Sequence, residues 1–292
     1  MASSAAFGTL ARVRGVLTFA AAAAFALAVA GVANASYIVD RNATNVTLRT
    51  SGGTAIVDYR VAGLRKHALL SGAINARPPQ AGVPQVRFRV VRGLGFQGGG
   101  TCRRYTGPPL PFLVAACDGG DGSHWALQRW DRLQPNFGGQ AAPWELQASH
   151  WRGDLPRLDV WVDWVSGGRY EQVFGRYSYL GEPVHGFHTT SAGAPRDTYG
   201  RNVYLDVLDS GYGSGWRREN SFVAHNPTGV FCYTLYPHGG TPTAGRAYRL
   251  TAQGPGVAPI VSWTGRAPGP YDEDVQTQLR GVEQSLGDKL CR

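Results

Sequence analysis

Apolar and polar residues alternate with a period of two between positions 157 and 165. One set is wholly apolar and the other carries two carboxylates: Leu158, Val160, Val162 and Trp164 against Asp159, Trp161, Asp163 and Val165. Alternation of β-branched and aromatic residues is typical of a strand with one buried face. We expect the apolar set, including Trp164, to face the core. The other set is then either a ligand platform or the solvated face of an ordinary strand.

Shorter runs of strand-forming residues, separated by glycine and proline, recur along the chain. Residues 46–50 and 54–61 flank a Ser-Gly-Gly turn and predict a β-hairpin. The aromatic run at 170–180 predicts a strand pair with a bulge or bend at Gly175. Many short strands without alternating helices predict a mainly β fold, built as an antiparallel sandwich or from barrel-like sheets.

One helix is predicted, near the C-terminus at about 271–290. Its apolar residues recur three and four positions apart: Val275, Leu279, Val282, Leu286 and Leu290. Acidic residues at 272–274 lie in its first turn, where the helix dipole favours negative charge. We expect the apolar stripe to pack against a sheet.

The first 35 residues have the pattern of a secretory signal peptide. Arg12 and Arg14 precede an alanine-rich run at positions 16–32, and an Ala-Asn-Ala cleavage motif ends at Ala35. Cleavage there would leave 257 of the 292 residues (292 − 35), secreted or associated with the cell wall, with no membrane span. An uncleaved anchor is the alternative, because the apolar run is barely long enough to cross a bilayer.

The expected mature chain has two regions. Residues 36–80 predict a small N-terminal β unit, which ends at an Arg-Pro-Pro-Gln segment because proline interrupts a strand ladder. Residues 86–292 predict the main β domain, which ends in the helix. The N-terminal unit is either separate or part of that main domain.

The chain contains four cysteines, which allow three pairings. An exported protein meets an oxidising environment, so disulfides are expected. We favour Cys102–Cys117, which closes a short loop, and Cys232–Cys291, which would tie the C-terminal segment to a strand. The spacings include no Cys-x-x-Cys pair, which argues against a zinc site.

The chain is basic, with a formal net charge of +9, or +7 without Arg12 and Arg14. Nearly all of its basic residues are arginines, a bias that suggests a GC-rich bacterial genome. The densest basic cluster contains five arginines: Arg87, Arg89, Arg92, Arg103 and Arg104. Such a cluster attracts anionic polymers, or is simply the wet face of a strand.

No strong enzyme signature is present. The chain lacks the metalloprotease, serine-hydrolase, nucleotide-binding and β-lactamase motifs, and oxidised cysteines exclude a thiolate nucleophile. The segment at 118–123 offers oxygens to calcium, but its two carboxylates are fewer than a calcium loop needs, so we expect a hairpin turn. We expect no metal and no cofactor.

Aromatic residues and carboxylates are mixed between positions 144 and 163. Trp144, Trp151, Asp154 and Trp161 form a candidate glycan-binding set, because aromatic rings contact sugar C–H bonds and carboxylates accept hydrogen bonds from sugar hydroxyls. In the enzyme alternative a pair of carboxylates acts as acid and base. The catalytic candidates are then Asp159, Asp163 and His150.

A glycine-dense segment at 211–215 leads into Trp216, Arg217, Arg218 and Glu219. Polar residues on a rigid loop often belong to a binding site. The alternative is an internal ion-pair network that fixes the loop.

The sequence therefore favours an exported, non-catalytic β protein that binds cell-envelope or extracellular glycans or anionic polymers, without specific nucleic-acid binding. The first alternative is a secreted carboxylate-dependent hydrolase of the glycosidase type. The second is a structural or interaction module with no small-molecule site.

Overall fold

A computed structural model of the chain describes residues 36–75, 86–93, 99–131, 133, 143–165, 167–183, 188–189, 195–196, 202–225, 230–236, 245–253, 259–269 and 271–286. The predicted signal peptide and Cys291 lie outside these residues. Within the described part of the chain, no helix is both long and apolar enough to cross a bilayer.

Most of the described residues lie in short strands. In chain order the strands are β1 (Ser36–Arg41), β2 (Thr44–Ser51), β3 (Thr54–Val61), β4 (Leu64–Gly72), β5 (Phe88–Arg92), β6 (Arg103–Arg104), β7 (Leu113–Asp118), β8 (Ser123–Trp130), β9 (Glu145–Arg152), β10 (Arg157–Val165), β11 (Tyr170–Tyr179), β12 (Glu182–Pro183), β13 (His188–Thr189), β14 (Pro195–Arg196), β15 (Asn202–Ser210), β16 (Gly213–Arg218), β17 (Ser221–His225), β18 (Val230–Leu235), β19 (Ala247–Gln253) and β20 (Val261–Arg266). One helix, α1 (Glu273–Leu286), follows them.

The strands form four antiparallel sheets. The first has the order β1-β9-β8-β7-β6 and the second the order β2-β3-β4-β5. The third is β10-β11-β18-β17, with β12 beside β11, and the fourth is β13-β14-β15-β19-β20, with β16 beside β15. The predicted mainly β fold with a C-terminal helix is confirmed.

The first core lies between the first two sheets. Val57, Tyr59 and Leu70 of the second sheet pack with Trp125 and Leu146 of the first. Each such side chain contributes about 1.5–3 kcal/mol on burial. Strands from residues 36–75 enter both sheets, because β1 pairs with β9 and β4 pairs with β5, so this core joins the predicted N-terminal unit to residues beyond position 86.

The second core lies between the third and fourth sheets. Leu158, Val160 and Val162 of β10 pack against it, as the alternation predicts. The expectation for Trp164 is wrong, because this ring is 57% exposed. It lies near the end of β10, a strand at the edge of its sheet, where the facing core residues no longer cover it. Alternation fixes the face of a residue but not how far the opposing sheet extends.

The predicted Cys102–Cys117 disulfide is confirmed, with the two Cα atoms 5.1 Å apart. Cys117 is buried in the first core, so the bond anchors the exposed segment at 102–104 to that core. The predicted Cys232–Cys291 pair involves a residue outside the described part of the chain.

Helix α1 forms as predicted, but its most buried face is polar. Asp272 caps it, with Oδ1 accepting a hydrogen bond from the Val275 backbone N–H at 3.0 Å. Gln276 and Glu283 are the buried positions, whereas Val282 of the predicted apolar stripe is exposed. The helix covers strands β17 and β18, and Gln276 accepts a hydrogen bond from the Leu235 backbone there. The face of the helix that packs on β18 therefore carries polar side chains that accept hydrogen bonds from this strand.

Candidate functional site

The structure disperses the predicted glycan-binding residues. Trp151 on β9 is buried, and Trp144 is half-buried beside the guanidinium of Arg129, which lies 4.8 Å from its ring centroid. Asp154 is exposed after the end of β9, and Trp161 lies on β10 in another sheet. These four side chains therefore do not form one continuous aromatic surface.

His150 is a core residue of the first sheet. Its Nδ1 lies 2.9 Å from the carbonyl oxygen of Gly72 and 3.0 Å from that of Ala73, and its Nε2 lies 2.9 Å from the Ser123 hydroxyl. Burial lowers the pKa of His150, which favours the neutral ring, and a carbonyl only accepts, so Nδ1 carries the proton. Ser123 and His150 are 1% and 2% exposed, so this pair offers no accessible nucleophile.

Asp159 and Asp163 lie on β10, in the third sheet. Asp159 pairs with Arg157 at 2.9 Å, and Asp163 accepts a hydrogen bond from the Trp164 backbone N–H. In the described residues no hydrogen bond or ion pair links either carboxylate to His150. The structure does not bring the three catalytic candidates together as one site.

Trp216, Arg217 and Arg218 lie on β16 and take part in internal packing. Arg218 donates to Asp206 at 2.6 Å, and Arg249 of β19 donates to the other oxygen of the same carboxylate at 3.1 Å. Asp206 is fully buried. The arrangement matches the structural alternative for this loop, an ion-pair network.

Aromatic rings enclose that network. Arg218 lies 3.8 Å from the ring centroid of Tyr204, and Arg249 lies 4.4 Å from that of Trp216. Trp130, the last residue of β8 in the first sheet, has its ring centroid 5.4 Å from the Arg218 guanidinium. The two guanidinium groups are therefore held between the first and fourth sheets, where cation–π contacts stabilise them.

A cleft of about 610 Å³ opens elsewhere, between β1 and the second sheet. It is lined by residues 38–41 of β1, Tyr59 of β3, residues 65–67 of β4, and residues 92–93 at the end of β5. Its size is that of a pocket for a small molecule or a short polymer segment. β1 is an edge strand, so its unpaired side faces this opening.

Tyr59 forms the floor of the cleft. The residue is 1% exposed, and its hydroxyl lies beside the Asp40 carboxylate and the Arg92 guanidinium. Burial raises its pKa to about 12, and the Asp40 carboxylate acts in the same direction while Arg92 opposes it. Tyr59 therefore contributes to holding Asp40 and Arg92 in place beneath the cleft.

The cleft carries an excess of positive charge. Its lining includes Arg41, Arg65, Lys66 and Arg92 against the single carboxylate of Asp40, a balance of +3 (4 − 1) with His67 neutral. Positive charge focused in a cleft raises the local concentration of anions.

Three of these cations also bind protein groups. Lys66 pairs with Asp40 at 2.8 Å, Arg41 pairs with the buried Glu145 at 3.2 Å, and Arg92 donates to the carbonyl of Val39 at 3.3 Å. These contacts hold the cationic groups in fixed positions around the Tyr59 hydroxyl. Because each cation has more than one donor, they leave donors for a ligand.

The cleft arises where core-facing strand positions change from apolar to charged. On β4, Lys66 lies on the same strand face as the buried Ala68 and Leu70. On β5, Arg92 lies on the same face as Phe88 and Val90. The sequence placed Arg92 in a basic cluster that either attracts anionic polymers or is the wet face of a strand, and it gave Lys66 no role. A cation at a core-facing position was the signal that could have identified the cleft.

The described residues contain no group of three His, Cys, Asp or Glu side chains arranged to hold a metal ion. No protein-family model matches this chain, and the comparisons with curated proteins and with solved structures found no match. The cleft is therefore interpreted from its own chemistry.

Proposed function

We propose that this protein is an exported, non-catalytic binding protein that holds an anionic glycan or related polymer of the cell envelope in the cleft between β1 and the second sheet. The observation that carries this proposal is the set of cations held around the cleft by contacts with protein groups: Arg41, Lys66 and Arg92. Among the described lining residues, Asp40 supplies the single carboxylate, so positive charge is in excess.

The chemistry of the cleft supports binding of an anionic group. Arginine donates a planar fork to carboxylate or phosphate, and lysine adds a point charge. Tyr37 lies beside Arg92, whose guanidinium is 5.3 Å from the ring centroid. This cation–π contact helps to hold the Arg92 guanidinium in place at the cleft.

The test compares two double variants that each remove two positive charges. Lys66→Gln with Arg92→Gln alters the cleft, and Arg157→Gln with Arg176→Gln is the matched control on the exposed face of the third sheet. Binding to a polyglycerol phosphate, to polygalacturonate, to single-stranded DNA and to neutral dextran is measured at fixed salt. Thermal unfolding checks that each variant is folded.

We expect wild type and the control to bind at least one anionic polymer and the cleft variant to bind it at least about tenfold more weakly, with no binding to dextran. Loss of charged hydrogen bonds worth about 1.5–3 kcal/mol each gives this magnitude. Equal binding by the cleft variant and the control would overturn the proposal. So would a preference of the wild type for single-stranded nucleic acid over both anionic polymers.

A further inference from the structure

We infer that the ligand is a polyanion held at two anchors, one in the cleft and one on an arginine pair, Arg60 and Arg65, at the end of the β3–β4 hairpin. The inference rests on the proposed function, because it extends the same binding surface. It names the ligand as a chain of repeated anionic groups rather than a single small anion.

Arg60 and Arg65 are directly opposite each other across β3 and β4. Both are exposed. Side chains in directly opposed positions have Cβ atoms about 4.5–5.5 Å apart, and like charges there destabilise the pair of strands. The protein therefore keeps a repulsive contact at this hairpin, and an anion placed between the two guanidinium groups would relieve it.

The pair has no acidic partner among the described residues. Arg60 donates only to the Gly63 carbonyl, at 3.4 Å, and Arg65 makes no described hydrogen bond. The carboxylate of Asp58, two positions before Arg60 on the same strand face, is already bound by Arg49 at 2.7 Å and by His67. In the same sheet Arg49 and Lys66 have carboxylate partners, so Arg60 and Arg65 differ from them in carrying charge that no described carboxylate offsets.

The hairpin and the cleft are continuous. Arg65 lines the cleft rim, and Lys66, its neighbour in sequence, points to the opposite face of the strand, into the cleft. In the described part of the chain, the pairing of β4 with β5 begins at Ala68, so residues 64–67 have no described partner on that side. The proposed ligand runs from Lys66 to Arg65 and Arg60 along this part of β4.

Two anchors on opposite faces of one strand select for ligand length. Because Lys66 and Arg60 lie on opposite faces of the hairpin, a single phosphate or carboxylate engages one of them, whereas a flexible polymer with one charge per repeat engages both. Linking two weak sites in this way raises affinity without a new contact type. Phosphodiester and carboxylate polymers share this chemistry, and the experiment separates them.

The experiment uses full-length mature protein and two polymers, polyglycerol phosphate and polygalacturonate, with their monomers glycerol phosphate and galacturonate. Three double variants are compared, each with two positive charges removed: Arg60→Gln/Arg65→Gln, Lys66→Gln/Arg92→Gln and the control Arg157→Gln/Arg176→Gln. Affinity is measured by calorimetry over a range of salt concentrations, and monomer binding by nuclear magnetic resonance titration.

We expect the Arg60/Arg65 variant to bind the preferred polymer at least about tenfold more weakly than the control. The slope of the logarithm of its affinity against the logarithm of the salt concentration should be smaller in magnitude by about one to two. Its binding of the monomer should fall less than its binding of the polymer, because Lys66 and Arg92 remain in the cleft. Polymer binding equal to the control would overturn the second anchor. If only the Lys66/Arg92 variant is impaired, the proposed function stands and this inference fails; if neither is impaired, both fail.

Discussion

Trp125 and His150 stack face to face on neighbouring strands, with ring centroids 3.8 Å apart and planes 11° apart. The contact comes from a Ser-His-Trp tripeptide that occurs at 123–125 and again at 149–151. The antiparallel register of β8 and β9 places Trp125 opposite His150 and His124 opposite Trp151. A short repeat in the sequence thus becomes two crossed His–Trp contacts in the structure.

The buried position of His150 predicts a loss of stability in mild acid. Burial lowers its folded-state pKa below the unfolded value of about 6.5, so the unfolded chain takes up the proton first as the pH falls. Stability contributed by the neutral ring is present above about pH 6.5 and is lost as the pH falls towards the folded-state pKa.

The check is urea unfolding at pH 7.5 and pH 5 for wild type and His150→Gln. The loss of unfolding free energy between these pH values should be smaller in the variant than in wild type. The lowered carboxylate pKa values of Asp40, Asp58 and Asp118 act below about pH 4, outside this window. Glu283 acts inside it and in the opposite direction, but it is present in both proteins, so the comparison with the variant isolates His150. An equal loss in both proteins would contradict the assignment.

Glu283 predicts the opposite pH dependence. Burial against the third sheet raises its pKa from 4.5 to about 7, although hydrogen bonds from Gln172 and Thr234 favour the charged form. The folded protein keeps this proton when the unfolded chain has lost it, so stability falls as the pH rises from about 4.5 to 7. The full cost is about 3 kcal/mol at pH 8.

Glu283→Gln removes the cost and keeps a polar side chain of the same shape. The variant should be more stable than wild type by up to about 3 kcal/mol at pH 8 and similar to it at pH 4.5. Denaturant unfolding at the two pH values measures the difference. A stability difference that does not change with pH would exclude a buried, titrating Glu283.

The Asp206 network predicts a large cost for losing one charge. Asp206→Asn leaves two guanidinium groups, each less than one-fifth exposed, without their counterion. The expected loss is about 3–5 kcal/mol in unfolding free energy. Asp159→Asn, at an exposed ion pair on β10, is the matched control and should cost about 1 kcal/mol or less. Similar costs for the two would show that the buried network contributes little.

The structure requires glycine at position 175 for steric reasons, and Gly175 does not form the bulge expected from the sequence. The pairing of β10 with β11 is continuous through Gly175, and the Phe231 ring lies where its side chain would be. A Cβ atom there would come within 2.2 Å of the ring, so Gly175→Ala should destabilise the protein by about 1–3 kcal/mol. Gly53→Ala, with open space around it, should be nearly neutral in the same thermal unfolding assay.

The sequence was sufficient where the relevant signal was local. Alternation at positions 157–165 predicted the strand and the core-facing side of Val160 and Val162, and loop length favoured the Cys102–Cys117 bond. The exposed Trp164 was missed because its environment depends on how far another sheet extends. Local pattern does not carry that information.

The cleft and the helix face were missed for a related physical reason. Glu283 is buried on the inner face of α1, so a rule that assigns charged residues to the surface misplaces it. Lys66 and Arg92 continue the core-facing alternation of β4 and β5, but they lie at the edge of the core, where the cleft opens. Their positions are fixed by contacts between segments distant in sequence: Lys66 with Asp40, and Glu283 with Thr234. Such departures from the pattern are where function or strain is expected.

The most direct test of the central claim is the affinity of Lys66→Gln/Arg92→Gln for the anionic polymer that wild type binds, measured together with its unfolding free energy. Both cations line the cleft, and the Lys66–Asp40 pair is partly exposed, so their loss should cost no more than about 1–2 kcal/mol of stability. Polymer affinity should fall at least about tenfold, because charged hydrogen bonds to the bound anion are lost. Unchanged affinity in a folded variant would contradict the account of the cleft.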